Sequence, residues 1–220
     1  MAADKRADNC CTGQRRLLKP VDKMFIYPKM YRKLKRGPQV MLPKDIGTII
    51  AYSGIGKESV CMDAGTGSGW LAVSLARICS KVYSYDIRRE FIAIAERNAN
   101  MLGIANIEFR NEDVFKKIHE KNLDLVVLDL PSSEKALANA KRALAEGGMV
   151  VGYLPHMEQV QRFASKLEKL KFSDIHTVEV IVRDMLVRKE GMRPSTKGLW
   201  HTAYLVFARK PEAKQLHKPI

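Results

Sequence analysis

A glycine loop and three carboxylates stand out as groups able to do chemistry. The loop is Asp63-Ala64-Gly65-Thr66-Gly67-Ser68-Gly69, and it follows the apolar run Val60-Cys61-Met62. Glycine at alternate positions removes the Cβ atoms that would hold a ligand away from the backbone. A second apolar run, Val82-Tyr83-Ser84-Tyr85, ends in Asp86, placed to accept hydrogen bonds from both hydroxyls of a ribose. Asp129 closes the run Val126-Val127-Leu128. An ionised carboxylate at the end of an apolar strand costs free energy unless something pairs with it, which marks Asp129 as a site candidate; the alternative is a turn residue. Asp113, in Asn111-Glu112-Asp113-Val114, either accepts the amino hydrogen of an adenine or caps a short helix. Thr66 and Ser68 either donate to the ligand or cap the helix that follows. Asp63 either orients the loop or receives an amino group. None of these groups has the spacing of a metal site.

Positioning them takes alternating strands and helices. Strands are expected at Ser59–Asp63, Lys81–Asp86, Asn106–Arg110, Leu123–Leu130 and Met149–Leu154. The fourth is almost continuously apolar, as a buried central strand should be. Helices are expected at Gly69–Ile78, Arg88–Leu102, Glu134–Leu144 and His156–Leu170, with another starting at Pro43-Lys44-Asp45 and capped by Asp45. Asp174–Val182 and His201–Ala208 would complete seven strands. Met24–Tyr31, aromatic and apolar, reads as a short strand or a pad against the sheet. Asp184–Leu199 reads as a long basic loop, of a length that usually serves function. The fold class is therefore α/β: a Rossmann-like, seven-stranded, mostly parallel sheet with helices on both faces and a short basic N-terminal extension. The extension covers 1–44, with 1–20 expected to be disordered; the sheet domain covers 45–210 and a tail 211–220.

The 220-residue chain has a net charge of +14, unevenly spread. Residues 1–45 carry twelve Lys/Arg against four acids, and 183–220 carry nine against three, whereas 46–182 carry seventeen of each. The sheet is neutral and the surplus lies at the two ends. Such a surplus suits a polyanion, because neutralised phosphates release counterions; a solvated surface is the alternative. No apolar stretch is long enough to span a bilayer, and Met1–Arg16 lacks an apolar signal core. Cys10, Cys11, Cys61 and Cys79 fit neither a zinc spacing nor a disulfide framework, and Cys10-Cys11 falls in the tail. The expected location is a reducing cytoplasm, with no membrane partner.

The glycines run G-x-G-x-G, tighter than the G-x-G-x-x-G of dinucleotide folds. With Asp63 before them and Asp86 after, the segment resembles the S-adenosylmethionine-dependent methyltransferases. A more specific resemblance rests on Asp129-Leu130-Pro131, Gly152-Tyr153-Leu154-Pro155-His156-Met157-Glu158-Gln159-Val160, Arg183, Arg193-Pro194 and His201-Thr202-Ala203, which fall in order on successive strands. Together they resemble the tRNA (adenine-N1)-methyltransferase family that modifies the T-loop adenine at position 58, in archaea also 57. Gln39-Val40-Met41-Leu42-Pro43-Lys44-Asp45 is similar to the family's segment leading into the donor pocket. The similarity covers roughly residues 37–210.

The resemblance implies S-adenosylmethionine as methyl donor, tRNA as partner and usually a homotetramer. It implies that Asp129 holds the target adenine, whose N1 attacks the methyl carbon in line as S-adenosylhomocysteine leaves. It assigns Gly65, Thr66, Gly67, Ser68, Gly69, Asp86, Asp113 and Gln39 to the donor, and aligns Tyr153, Pro155 and His201 with positions lining or bracing the site. Arg183 and Arg193 would contact RNA or hold Asp129. A core histidine is the alternative for His201, and solvated surface for Arg193. Three features depart from the family: only about 45 residues precede the helix that leads into the sheet, where a small β-rich domain is usual; Ser132-Ser133-Glu134 stand where Pro-Trp is usual; and the ribose ligand is Asp rather than Glu. Trp200 and Tyr153 are the aromatic residues able to replace the missing tryptophan. The competing readings are a methyltransferase for a small molecule of the corrin-precursor type or for a protein, and a non-catalytic RNA-binding subunit.

Overall fold

The structure, a computed structural model, describes residues 28–37 and 39–212. The expectations for 1–20, for Cys10-Cys11 and for most of the 211–220 tail lie outside those residues. Seven strands form one sheet in the order β3-β2-β1-β4-β5-β9-β6: β1 Val60–Ala64, β2 Lys81–Tyr85, β3 Ile107–Arg110, β4 Leu123–Leu128, β5 Leu144–Leu154, β6 Ser173–Glu179 and β9 Tyr204–Arg209. Only β9 runs against its neighbours, pairing antiparallel with both β5 and β6. The chain leaves β1 for β2 on one side and reaches β4 on the other, so the sheet reverses direction between β1 and β4. Such a reversal opens a crevice at the carboxyl ends of the strands.

The near-continuous apolar run of β4 resolves into two cores. Leu125 and Val127 face helices α1 (Lys29–Lys33), α2 (Pro43–Ser53), α3 (Trp70–Ala76) and α4 (Arg89–Met101). Val126 and Leu128 face α5 (Leu137–Ala143) and α6 (Met157–Lys169). Alternate residues of a strand point to opposite faces, so a strand covered on both sides must be apolar throughout. The exception is Asp124, whose exposed carboxylate accepts the Val60 N–H at 2.7 Å and joins the start of β4 to that of β1.

Four local expectations are corrected. Asp45 does not cap α2: the cap is Leu42, with Pro43 as first helical residue, and Asp45 is buried in the first turn. Of the two readings of 24–31, the strand falls, because Lys29–Lys33 is helical, and the pad holds for the described part, Tyr31 being buried and stacked on Trp70 with ring centroids 4.7 Å apart; 24–27 lie outside the described residues. Residues 134–136 do not join α5; a 3-10 turn at Ser133–Lys135 precedes it, held by Ser133 Oγ, which donates to Leu130 O at 2.8 Å. The segment 184–199 is largely a β-hairpin, β7 (Met185–Arg188) pairing with β8 (Gly191–Pro194), Met185 opposite Pro194. Its side chains are mostly exposed, so it lacks the one-sided apolar alternation that marks a strand in sequence.

Phe163 of α6 is fully buried against Gly152 of β5, where an added Cβ would lie 2.8 Å from the ring. Phe163→Ala is expected to lower unfolding free energy by about 3–5 kcal/mol. Urea denaturation checks this, and a loss under 1 kcal/mol would show that the α6 face is not tightly packed.

Candidate active site

The carboxyl ends of β1, β2 and β4 are joined backbone to backbone. Gly65 and Thr66 donate to Tyr85 O at 2.9 and 3.0 Å, and Asp129 N donates to Ala64 O at 2.8 Å. Gly65 has φ +100, and a Cβ there would fall 2.2 Å from Asp129 O. Only glycine supplies both that torsion and that contact. Gly67 (φ +50) has open space where its Cβ would be, save Gly65 O at 3.8 Å, whereas a Cβ on Gly69 (φ +78) would meet Ala95 of α4 at 2.8 Å. The three glycines thus close the loop on β4, leave it bare, and seat it on α4.

The loop's polar side chains divide. Thr66 Oγ1 lies 2.7 Å from Ser84 Oγ, which donates to Asp63 Oδ2 at 3.0 Å, all buried. Asp63 and Thr66 are consumed in holding the loop. Ser68 Oγ is buried with no hydrogen-bond partner among the described residues, and neither hydroxyl caps α3. A buried hydroxyl left unpaired is costly, so Ser68 is suited to a polar ligand atom. Asp86 is buried; its Oδ2 accepts Gly67 N at 3.1 Å and its Oδ1 accepts Arg88 N and Nε at 2.9 and 3.2 Å. Asp113 Oδ1 accepts Phe115 N at 2.9 Å at the head of a turn over 114–116 that does not become a helix, so Asp113 caps none, while Oδ2 is unpaired among the described residues. Gln39 is exposed ahead of α2. An open, glycine-lined cradle with an orphaned hydroxyl and a carboxylate at each side fits S-adenosylmethionine.

The electrostatics are unbalanced. Burial pushes the Asp129 carboxyl up to about 7, and the charges of Asp63 and Asp86 push the same way, against the guanidinium of Arg88. Asp63 is also pushed up to about 7, first by burial and then by Asp86, against the Ser84 hydrogen bond. Asp129 is partly open to water yet surrounded by protein, so its solvation is poor without being lost. Among the described residues, three carboxylates come together here with one guanidinium, that of Arg88, itself half exposed.

A second polar cluster braces the recess from the β5–β9 side. Lys44 Nζ donates at 2.7 Å to Asp45 Oδ1, Val180 O and Thr202 Oγ1, and Thr202 donates to Asp45 Oδ2 at 2.9 Å. Lys44 and Asp45 are almost fully buried. Tyr153, 2% exposed, directs its hydroxyl at Asp45 and Thr202; burial first, then the charges of Asp45 and Asp129, hold that hydroxyl protonated. Tyr153 is therefore placed to brace rather than to stack on a base. His201 is exposed, with Nε2 2.8 Å from Pro155 O and Nδ1 2.6 Å from Glu179 Oε1. A carbonyl can only accept, so Nε2 carries a proton, and the Glu179 hydrogen bond raises the ring's pKa. His201 is neither a core residue nor in the recess; it ties the segment before β9 to the end of β5. Arg183 and Arg193 are exposed near and on the hairpin, and neither is among the charges that act on Asp129. Sequence reasoning missed Lys44, Ser84 and Arg88. Lys44 and Thr202 are 158 residues apart, so no local pattern announced their pairing.

Strand order, the glycine loop after β1 and the carboxylate closing β2 define the class I S-adenosylmethionine-dependent methyltransferase fold. A family model described as tRNA methyltransferase complex GCD14 subunit matches residues 28–199, and the chain belongs to that family. It is 38% identical to the tRNA (adenine(57)-N(1)/adenine(58)-N(1))-methyltransferase TrmI of Methanocaldococcus jannaschii, over 85% of this chain and 78% of that relative. The crystal structure of tRNA (m1A58) methyltransferase TrmI from Aquifex aeolicus superposes with a TM-score of 0.78 at 28% identity, covering 84% of this chain and 75% of that one. An S-adenosylmethionine-dependent O-methyltransferase from Thermotoga maritima gives 0.79 at 30% identity, covering 84% and 72%.

A carboxyl raised from its ordinary value to about 7 contributes stability that is complete below about pH 4 and gone above about pH 7, because the folded state then holds a poorly solvated charge. Asp129→Asn should therefore be more stable than the parent at pH 8, by on the order of 1 kcal/mol once partial exposure is discounted, with the gap shrinking to zero near pH 4. Thermal melts of both proteins across pH 4–8 check this; a gap that widens toward low pH would refute the assignment.

Proposed function

We propose that this chain transfers a methyl group from S-adenosylmethionine to N1 of a T-loop adenine in tRNA, at position 58 and, as for the relative from M. jannaschii, at 57. The observation that carries the reading is the surplus of carboxylate at the bare glycine loop: among the described residues, Asp63, Asp86 and Asp129 against Arg88. A recess of that charge favours a cation, and among the described residues no cluster of acids, histidines and cysteines is arranged to hold a metal ion. Bound there, S-adenosylmethionine supplies an electrophilic methyl carbon on a positively charged sulfur, open to in-line displacement by adenine N1.

The chain's own groups then have separable tasks. Asp86 takes the donor's ribose hydroxyls, Asp113 Oδ2 its adenine amino group, Ser68 Oγ a polar atom of the methionine portion, with Gly65, Gly67 and Gly69 beneath and Gln39 at the mouth. Asp129 accepts a hydrogen from the target's exocyclic amino group and thereby turns ring nitrogen N1 toward the methyl carbon. Methylation leaves that amino group acidic, and Asp129, with a carboxyl pKa near neutrality, is suited to take the proton. Arg183, Arg193 and the basic ends supply phosphate contacts that offset the cost of extruding a paired base, roughly a few kcal/mol. Tyr153 and His201 brace the recess. By resemblance the chain assembles as a homotetramer and works in the cytoplasm, where its substrate lies. A non-catalytic subunit is disfavoured, since the glycine contact with Asp129, the Ser68 hydroxyl and Asp86 are all in place.

Incubation with labelled S-adenosylmethionine and an unmodified tRNA transcript should place label in 1-methyladenosine on digestion. Asp129→Ala is expected to lower kcat/KM by about a hundredfold or more while still binding the donor. Label in another nucleoside, or donor binding without RNA labelling, would redirect the reading to small-molecule or protein acceptors.

A further inference from the structure

The chain holds two tryptophans in opposite settings. Trp70 is 3% exposed, packed under Tyr31, whereas Trp200 is 42% exposed. An exposed indole on a loose loop would carry little information. Trp200 is not on a loose loop. The next residue, His201, bonds to both Glu179 and Pro155, and the one after, Thr202, bonds to the buried Lys44–Asp45 pair. The ring is also flanked by Gly198, where a Cβ would stand 3.4 Å from it. The guanidinium of Arg183 lies 5.3 Å from the ring centroid.

Its place in the sheet is as telling. Tyr204 pairs with Leu154, and β9 runs antiparallel to β5, so the chain just before β9 emerges at the carboxyl edge of β5. Asp129 emerges at the same edge from β4, the neighbouring strand. Because β5 lies between β4 and β9, Trp200 is displaced from Asp129 by two strand spacings, roughly 10 Å, and stands four residues ahead of β9 on the same edge of the sheet. Residues 183–199 hold five Lys/Arg against two acids, so the indole stands in cationic surroundings. A protein partner covering this patch would have to desolvate those cations, whereas an RNA strand neutralises them.

We propose that Trp200, with Arg183, is a stacking platform for an unpaired base flanking the adenine that Asp129 receives. This rests on the RNA reading given above and adds a positioning residue to it. Aromatic faces and guanidinium planes accept any base, so the platform holds the strand in register without reading sequence. The contact would prevent the strand from collapsing back once the target adenine leaves its stack, and so would act on acceptor binding rather than on methyl transfer.

The test is steady-state methylation of tRNA transcript by wild type, Trp200→Ala, Trp200→Leu and Trp200→Phe, alongside tryptophan fluorescence during tRNA titration. Ala and Leu are expected to raise KM for tRNA by roughly tenfold, with kcat and donor affinity within about twofold, while Phe, which keeps a π face, stays near wild type. Transfer RNA should quench wild-type fluorescence, and the quench should vanish in Trp200→Phe, leaving buried Trp70. Leu matching wild type in KM would overturn the platform. So would failure of acrylamide to quench Trp200 in the free enzyme, which would mean that a second copy covers it. If wild type methylates tRNA and the variants do too, only the platform falls; if wild type leaves tRNA unlabelled, the RNA reading falls and the platform with it.

Discussion

The carbonyl of Asp129 occupies the space that a side chain at residue 65 would fill. That contact fixes how closely β1 and β4 approach at the point where the sheet reverses direction, and the recess is what remains between them. The Tyr85 carbonyl, accepting from Gly65 and Thr66, adds β2 to the same junction. The glycine loop is therefore more than permissive of a ligand. It sets the depth of the site and delivers Asp129 to it from a strand far away in sequence.

The close approach has an electrostatic consequence. Bringing the ends of three strands together brings together Asp63, Asp86 and Asp129; the charges of Asp63 and Asp86 oppose ionisation of Asp129, and that of Asp86 opposes ionisation of Asp63. In a protein without a cationic ligand that arrangement would be a plain liability. It becomes intelligible when the ligand brings the missing charge. Burial first, and then the same crowding of charge, lifts the Asp129 carboxyl toward neutrality, where a group serves best as a proton acceptor.

The far side of the recess is held by different physics. Lys44, Asp45 and Thr202 form a buried ion pair with hydroxyl support, joining α2 to the segment before β9. Breaking one partner of such a pair leaves an uncompensated buried charge, which makes the junction rigid. Tyr153, His201 and Trp200 all take their positions from it, so one anchor places both the wall of the recess and the exposed rim beside it.

The sequence by itself determined the architecture and the chemical vocabulary. Apolar runs of strand length, glycines at loop positions and carboxylates at strand ends are local patterns, and β1 to β5 fall within a few residues of where those patterns place them, except that β5 starts five residues early. Asp86 and Asp129 were legible because a charge ending an apolar run is conspicuous in one dimension. What only the tertiary structure decided depends on pairs remote in the chain. Asp45 reads as a helix cap, yet Lys44 and Thr202 turn it into half of a buried pair. Thr66 and Ser68 look alike in the loop, and only the position of Ser84 separates the consumed hydroxyl from the free one. Tyr153 and Trp200 are both aromatic residues near the site, and burial alone assigns one to the interior and the other to the surface. Local periodicity records which face a residue is on; which partner it meets there is set by packing across the sheet, and no window of sequence contains it.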